Sequence, residues 1–258
     1  MISICVKNLN KRYRARDGDV PALADVDIEV KEGEFVTIVG PSGCGKSTLL
    51  YILGGFLGAD GGTIEVNGKA VTGPGVDRGI VFQEYALFPW LTVAQNIRYG
   101  LEMSGTSAKQ CKEIVERLVR TIGLQGFEHR FPRELSGGMK QRVAIARVLA
   151  NEAEILLMDE PFGALDALTR EQLQDELLEI WARTHVTVIF VTHSVEEATL
   201  LADRVVVMTA GPGRIESDNH VHLARPRDVS AVDFNEWRRK LTQKLTSHVS
   251  RKPLKAVA

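Results

Sequence analysis

Apolar and polar positions along the chain form two kinds of repeating pattern. Near the start, apolar and polar residues alternate at 2–6 and again at 26–30, as they do in half-buried strands. Later runs are almost continuously apolar, which is typical of parallel strands buried on both faces; they lie at 34–39, 78–83, 154–160, 186–193 and 204–211. Helical patterns separate these runs, so the sequence predicts an α/β fold with a mostly parallel sheet and helices on its faces.

Two other regions depart from that pattern. Residues 62–69, "GTIEVNGK", predict a strand that ends in an Asn-Gly turn, and with the alternating strands they indicate an antiparallel β subdomain. Residues from about 92 to 150 are mainly helical in pattern and contain no strong strand. We interpret them as a helical insertion subdomain within the α/β core.

The end of the chain is basic and amphipathic. Residues 225–258 carry nine Lys and Arg against three Asp and Glu, a local net charge of +6. Within 231–258 an apolar stripe has the spacing of one helix face; its members are Phe234, Trp237, Leu241, Leu245 and Val249. The stripe predicts a helix docked on the domain formed by residues 2–230, with a membrane-surface or regulatory contact as the alternative.

Composition narrows the function classes. The chain has 258 residues, of which 44% are hydrophobic and 25% charged, enough for a sizeable globular core. The net charge of -1 gives no basic field, so we expect no nucleic-acid partner. No window approaches the roughly 18 uncharged apolar residues of a membrane span. The three cysteines form no CxxC pair, which indicates free thiols in a reducing compartment.

The stretch "GPSGCGKST" fits the phosphate-loop pattern between a predicted strand and a predicted helix. Glycines let backbone N–H groups approach phosphate oxygens, and the start of the helix adds partial positive charge. We expect Lys46 to contact the β- and γ-phosphates of a nucleotide and Ser47 to bind Mg²⁺. The candidate nucleotide-binding residues are Gly40, Pro41, Ser42, Gly43, Cys44, Gly45, Lys46, Ser47 and Thr48.

Polar side chains end three of the predicted strands. Asp159 and Glu160 follow "ILLM", Gln83 ends "RGIVFQ", and His193 ends "VTVIFVTH". Ligands bind at the carboxyl ends of parallel strands, so these side chains are expected beside the phosphate loop. Asp159 would hold Mg²⁺ and Glu160 would act as the general base on water. Gln83 would reach Mg²⁺ or the water, and His193 the γ-phosphate.

A second glycine-rich helix start lies at Ser136-Gly137-Gly138, in "ELSGGMKQR". Ser136 can cap the helix, while the glycines leave its first N–H groups bare, which makes a second anion site. A domain that binds one nucleotide has no evident need for it. Standing alone, the segment would be interpreted as a capped helix with a flexible start.

Taken together, these motifs resemble those of the ATP-binding-cassette ATPase family, over about residues 2–230. "LSGG" at 135–138 is similar to the family signature, and it lies between the phosphate loop and "ILLMDEP". The resemblance implies a P-loop NTPase core and a head-to-tail homodimer, in which Ser136–Gly138 binds the γ-phosphate of ATP held by the partner. It also implies that Tyr13 stacks on adenine and that Asp166, in "GALD", links the two sites. Met139 departs from the family, where Gln is usual.

Within that family, "GPGVDRGIVFQEYALFPWLTVAQNI" and "TAGPGRI" resemble nitrate, sulfonate and taurine importers of bacteria. This implies an ATPase subunit at the cytoplasmic face of the inner membrane, with integral membrane permease subunits and, indirectly, an extracytoplasmic solute-binding protein. Phe88, Pro89 and Trp90 would line an apolar groove for the permease, or simply pack the junction with the helical insertion. The alternative is a non-transport cassette ATPase acting in repair, translation or cluster assembly. A P-loop kinase has no use for the second glycine site.

Overall fold

The structure, a computed structural model, describes residues 1–15, 18–82, 84–163 and 165–249, with side chains described as far as residue 245. The strands are β1 (Ile2–Ala15), β2 (Gly18–Lys31), β3 (Phe35–Val39), β4 (Gly61–Val66), β5 (Lys69–Ala70), β6 (Arg78–Val81), β7 (Ile155–Asp159), β8 (Thr187–Thr192), β9 (Arg204–Thr209) and β10 (Arg214–His220). The α-helices are α1 (Lys46–Leu53), α2 (Val93–Met103), α3 (Ala108–Thr121), α4 (Gly137–Ala150), α5 (Ala167–Thr184), α6 (Val195–Leu201) and α7 (Val232–Val249).

The core sheet has the order β10-β9-β3-β8-β7-β6, and every pair in it is parallel except the edge pair β10–β9. Successive residues of its strands enter different clusters: Phe35 and Val39 join the cluster with most of the helices, whereas Val36 and Ile38 join the cluster with α1 and the second sheet. Both faces are therefore buried, which is why these strands are continuously apolar. The predicted mostly parallel sheet is confirmed.

The second sheet is antiparallel, with the order β2-β1-β4-β5. The expected strands at 2–6 and 26–30 are too short, because β1 and β2 pair from Ile2 opposite Lys31 to Ala15 opposite Gly18. Their distal halves are largely exposed, so hydrophobic alternation stops while backbone pairing continues. The predicted Asn-Gly turn is confirmed, since Asn67 and Gly68 have φ of 48° and 71° and join β4 to β5.

Three helices, α2, α3 and α4, occupy residues 92–150, where the structure contains no strand. Thr92 caps α2 and exchanges hydrogen bonds with Gln95 in a capping box. The domain boundaries given above remain a prediction. Sequence analysis missed β10, because its residues alternate between exposed and intermediate, with no apolar run to signal a strand.

The carboxyl-terminal helix α7 is docked on the core through its apolar stripe. Phe234 is 1% exposed and Leu241 is 2% exposed. Leu241 belongs to the larger hydrophobic cluster, and Trp237 and Leu245 pack against that cluster. The side chain of Val249 lies outside the described residues. The docked-helix interpretation of the stripe is therefore supported at these four positions. None of the described helices is both long and apolar enough to cross a membrane.

Truncating Leu241 tests whether this helix stabilises the core. Leu241→Ala removes a buried side chain, and we expect the free energy of unfolding to fall by about 2–5 kcal/mol. The matched control is Val232→Ala on the same helix, where the side chain is 76% exposed and the change should be small. Urea denaturation followed by circular dichroism measures both. Equal, small effects would show that α7 docks without contributing to stability.

Candidate functional site

The phosphate-loop segment connects the carboxyl end of β3 to the start of α1. Gly45 is the N-cap of α1 with φ 96°, no side chain caps this end, and the first turn has no acidic residue. The first N–H groups of the helix are therefore free to bind an anion, and the helix dipole favours negative charge there.

Two glycines in this loop are required by close packing. A Cβ on Gly40 would lie 2.6 Å from the Cys44 sulfur, and one on Gly45 would lie 2.6 Å from Cδ2 of Leu23. The loop is thus held tightly against its surroundings. Cys44 fills part of that space, and its burial raises the pKa of its thiol. Its environment is that of a packing residue and not of a reactive thiolate.

Lys46 folds back over the loop that precedes it. Only 5% of the residue is exposed, and its Nζ donates hydrogen bonds to the carbonyl oxygens of Gly40 at 2.9 Å and Pro41 at 3.3 Å. Among the described residues, no carboxylate forms an ion pair with it. A buried ammonium without a counter-ion is costly, so this site favours a bound anion strongly.

The hydroxyl of Ser47 donates a 2.9 Å hydrogen bond to Oδ1 of Asp159, which ends β7. The predicted pair is therefore brought together across the core sheet. A hydroxyl and a carboxylate side by side supply the hard oxygen ligands that Mg²⁺ prefers, so the residues present fit that ion. Gln83, the third expected ligand, lies outside the described residues.

Glu160 and His193 also meet at this edge. Nδ1 of His193 lies 3.0 Å from Oε2 of Glu160. Glu160 has φ 45°, a strained conformation for a residue with a side chain, and its N–H donates to the carbonyl of Val191. Strain of this kind persists only where surrounding structure fixes it, and it holds the carboxylate at the end of β7.

A second carboxylate lies behind this pair. Burial raises the pKa of Glu197, although hydrogen bonding by Thr192 and the positive charge of Arg170 act in the opposite direction. The Thr192 hydroxyl donates to Glu197 at 2.5 Å. The charges of His193 and Glu160 also act on Glu197, so these three side chains form one electrostatic group. Sequence analysis missed Glu197, because it lies inside α6 without a motif.

Two tyrosines lie over the start of α1. The Tyr13 hydroxyl is 3.2 Å from Oγ1 of Thr48, and the ring is 43% exposed, as a stacking surface must be. Sequence analysis missed Tyr51, which lies four residues after Ser47 and therefore on the same helix face. Burial raises the pKa of Tyr51, and the nearby carboxylate of Asp159 raises it further.

The second glycine-rich helix start, at Ser136–Gly138, has the capped local structure that the sequence predicts. Ser136 caps α4 by accepting from the N–H of Met139 at 3.3 Å, and no hydrogen bond from Gly137 or Gly138 N–H to a protein acceptor is found within the described residues. A Cβ on Gly137 would lie 3.3 Å from Leu165, and one on Gly138 would lie 2.8 Å from Leu173.

The phosphate loop has different nearest neighbours. Outside the loop itself, the atoms nearest to the Cβ positions of Gly40 and Gly45 belong to Ala22, Leu23 and Met208. Asp166, expected to act between sites, caps α5 by accepting from Thr169 N at 3.0 Å, which lowers the pKa of its carboxyl.

An apolar groove of about 500 Å³ lies between the edge strand β6 and helices α2 and α4. Its walls include Gly79, Phe88, Tyr99, Arg147 and Val148. Phe88 lines the groove as expected, but Pro89 and Trp90 do not. Trp90 is instead 70% exposed, with its ring 5.6 Å from that of Phe88. The chain turns at Pro89, so Trp90 points outside the groove and beside it.

The sequence of the chain is similar to those of known proteins. A family model described as ABC transporter matches residues 23–163. An uncharacterised ABC transporter ATP-binding protein of Methanocaldococcus jannaschii is 51% identical over 248 residues, covering 96% of this chain and 93% of the relative. A taurine import ATP-binding protein of Roseobacter denitrificans is 48% identical over 225 residues, covering 87% of this chain and 84% of the relative.

The fold is also similar to a solved structure. A dimeric post-hydrolysis state of an ATP-binding cassette, bound to ADP and phosphate, superposes with a TM-score of 0.73. Its sequence is 32% identical, and the match covers 86% of this chain and 100% of that chain.

A pair of glycine substitutions tests the tight packing of the phosphate loop. Gly43 and Gly45 both have positive φ, but a Cβ on Gly43 meets nothing within 4 Å. Gly43→Ala should cost only backbone strain, about 1–2 kcal/mol in the free energy of unfolding. Gly45→Ala should cost about 1–3 kcal/mol more, because its Cβ overlaps Leu23. Chemical denaturation compares them, and equal losses would contradict the packing argument.

Proposed function

The chain belongs to the ABC transporter family, and we propose that it is the ATP-hydrolysing subunit of an importer for a small anion or organic solute of the nitrate, taurine or alkanesulfonate type. The proposal rests mainly on the buried Lys46 cation at the uncapped start of α1. The Ser47–Asp159 and Glu160–His193 pairs lie at the same edge of the core sheet. The charge of a nucleoside triphosphate satisfies Lys46, and the two pairs are suited to its hydrolysis.

The phosphate loop binds ATP by its backbone and by Lys46. N–H groups at the start of α1 donate to phosphate oxygens, and the Lys46 ammonium turns from the carbonyls of Gly40 and Pro41 to the β- and γ-phosphates. Tyr13 stacks on the adenine, which gives affinity with little selectivity among bases. The remaining loop residues, including Pro41, Ser42 and Cys44, set the curvature of the cradle.

Ser47 and Asp159 hold Mg²⁺, with Gln83 as a further ligand. Bound there, the ion neutralises charge that develops on the phosphate oxygens. The Ser47 hydroxyl would offer an oxygen lone pair to the ion and could still donate its hydrogen to Asp159. The Tyr51 hydroxyl lies near the Asp159 carboxylate and provides a hydrogen-bond donor beside it.

Glu160 acts as the general base. A water that attacks the γ-phosphorus gives up its proton to the Glu160 carboxylate, and the bond from phosphorus to the bridging oxygen breaks to leave ADP and phosphate. His193 fixes the orientation of Glu160 through their 3.0 Å contact and presents its other ring nitrogen to the γ-phosphate. Because Glu160 is fixed by its strained backbone, little reorganisation is needed at the moment of reaction.

Two chains act together in a head-to-tail homodimer. The start of α4, with Ser136, Gly137 and Gly138, binds the γ-phosphate of ATP held by the partner, and Asp166 lies between the two sites. This explains why one chain carries two separated anion sites. A dimeric related cassette with ADP and phosphate bound supports the arrangement. ATP binds the closed dimer better than the open one, and hydrolysis releases it.

An importer of this kind also needs permease subunits in the membrane and a protein that binds the solute. The similarity to a taurine import protein supports integral membrane permease subunits that dock in the groove lined by Phe88. An extracytoplasmic solute-binding protein would select the solute, and the cassette would sit peripherally at the cytoplasmic face of the bacterial inner membrane. The acidic net charge supports a role without nucleic acid.

Replacing the proposed base tests the chemistry. Glu160→Gln keeps the size of the side chain but cannot take a proton. We expect ATP hydrolysis to fall by about 10²-fold or more, while ATP binding persists and a dimer accumulates. Phosphate release and size-exclusion chromatography with ATP and Mg²⁺ measure these outcomes. Hydrolysis near the unmodified rate would refute the assignment of Glu160.

Replacing Lys46 tests nucleotide binding and transport together. Lys46→Ala removes a charged donor to phosphate, so ATP affinity measured by calorimetry should fall by about tenfold or more. In the host, the same substitution should abolish uptake of labelled taurine, nitrate or an alkanesulfonate that the unmodified gene supports. Unchanged affinity would refute the phosphate-loop assignment. Lost affinity with unchanged uptake of all three solutes would leave an ATPase and remove the proposed transport role.

A further inference from the structure

A short segment, residues 84–88, runs along helix α4 and enters the groove. Tyr85 and Ala86 have φ of 60° and 46°, so two successive residues with side chains adopt the left-handed region. Such conformations are unfavourable for residues other than glycine, and they persist only where surrounding contacts impose them. The contacts that impose this one come from α4.

Arg147, near the end of α4, holds the carbonyls of both strained residues. Its Nη1 donates to the carbonyl oxygen of Ala86 at 2.6 Å, and its Nη2 donates to that of Tyr85 at 3.3 Å. Its guanidinium also lies 5.7 Å from the ring centre of Phe88. Burial lowers the pKa of Arg147, and no carboxylate pairs with it among the described residues. The guanidinium of Arg147 therefore interacts with residues 85–88 and with no carboxylate of the described residues.

The opposite end of α4 lies close to the segment. The Tyr85 hydroxyl oxygen lies 3.5 Å from the place that a Cβ on Gly137 would occupy, in the helix start that we assign to the partner's γ-phosphate. Tyr85 therefore reaches the start of α4, while Arg147, ten residues later, holds the carbonyls of Tyr85 and Ala86. We expect a displacement of α4 to move the segment with it.

Beyond Phe88 the chain is fixed to a different helix. The backbone N–H of Phe88 donates to Oδ1 of the fully buried Asn96 at 2.9 Å. Asn96 in turn donates to the carbonyls of Phe88, Leu91 and Thr92. Phe88 is therefore the point where a segment held by α4 meets a loop held by α2, and its ring lines the groove.

We propose that Arg147 is a positioning residue that transmits movement of the α4 start to the groove, by holding residues 84–86 against α4. The inference rests on the proposed function, since it takes the pull on α4 from the partner's ATP. It adds the physical connection between that pull and the surface where the permease docks. Arg147→Lys is the informative substitution, because it keeps the charge but replaces two donor nitrogens in a fixed plane with a single one on a flexible chain.

Trp90 is a natural reporter, since it is exposed and its ring lies beside that of Phe88. The full chain, carrying Glu160→Gln, is labelled with 5-fluorotryptophan, and the Trp90 fluorine resonance is assigned with Trp90→Phe. Addition of ATP and Mg²⁺ should shift this resonance. With Arg147→Lys the shift should shrink at least about threefold, while ATP affinity by calorimetry stays unchanged. An unchanged shift overturns the inference.

The matched control is Arg142→Lys in the same helix. Arg142 donates to the carbonyl of Ile122 and pairs with Glu176, away from residues 84–88. Its replacement should leave the Trp90 shift intact. An equal loss of the shift in both variants would mean that any damage to α4 suffices, and it would overturn the specific role of Arg147.

A second substitution separates positioning from stability. Ala86→Gly removes the strain of a left-handed alanine, so in the Arg147→Lys background it should restore the melting temperature. It does not restore the two hydrogen bonds, and the Trp90 shift should remain small. Recovery of the shift together with the melting temperature would reduce Arg147 to a structural role. Absence of ATP binding in the parent variant would instead refute the proposed function, whereas ATP binding without any Trp90 shift would refute only the inference.

Discussion

The structure depends on a buried positive charge that the chain itself leaves unsatisfied. Lys46 is held by two carbonyl oxygens and has no carboxylate partner in the described part of the chain, although removing an ammonium from water costs several kcal/mol. The bare start of α1 adds further positive potential at the same place. A bound polyphosphate would supply the counter-charge that Lys46 lacks among the described residues, and this is the basis of the nucleotide affinity that we propose.

The parallel sheet decides which side chains share that site. Because β3, β7 and β8 run in the same direction side by side, whatever follows each strand emerges at one edge. The phosphate loop follows β3, Glu160 follows β7 and His193 follows β8. The contacts of Ser47 with Asp159 and of Glu160 with His193 join residues far apart in sequence across that edge. Glu160 has a strained φ of 45°, and it is the residue whose carboxylate needs a fixed direction as the proposed base.

Much of this follows from the sequence, and the exceptions have physical causes. Buried parallel strands are recognised by their continuous apolar residues, and the phosphate loop by the spacing of its glycines, Lys46 and Ser47 between a strand and a helix. The distal half of the β1–β2 pair and the whole of β10 are exposed on at least one side, so their hydrogen bonding leaves no hydrophobic signal. Tyr51 could have been found from its spacing to Ser47. Glu197 and Arg147 could not, because their roles arise from contacts across the fold that no local pattern encodes.

The second glycine-rich helix start, at Ser136–Gly138, is the feature that the proposed dimer explains. The atoms nearest to the Cβ positions of its two glycines belong to Leu165, Leu173 and Tyr85, and not to residues of the phosphate loop. In the head-to-tail dimer that we propose, each chain offers this helix start to the polyphosphate held by the other. The same helix carries Arg147, which holds the strained residues 85 and 86 beside the groove. Under these proposals, α4 would have a phosphate contact at one end and the permease-docking groove at the other, so the nucleotide state would affect the position of the partner. In that dimer, hydrolysis at Glu160 of one chain would release the α4 start of the other, because it removes the phosphate on which that start closes.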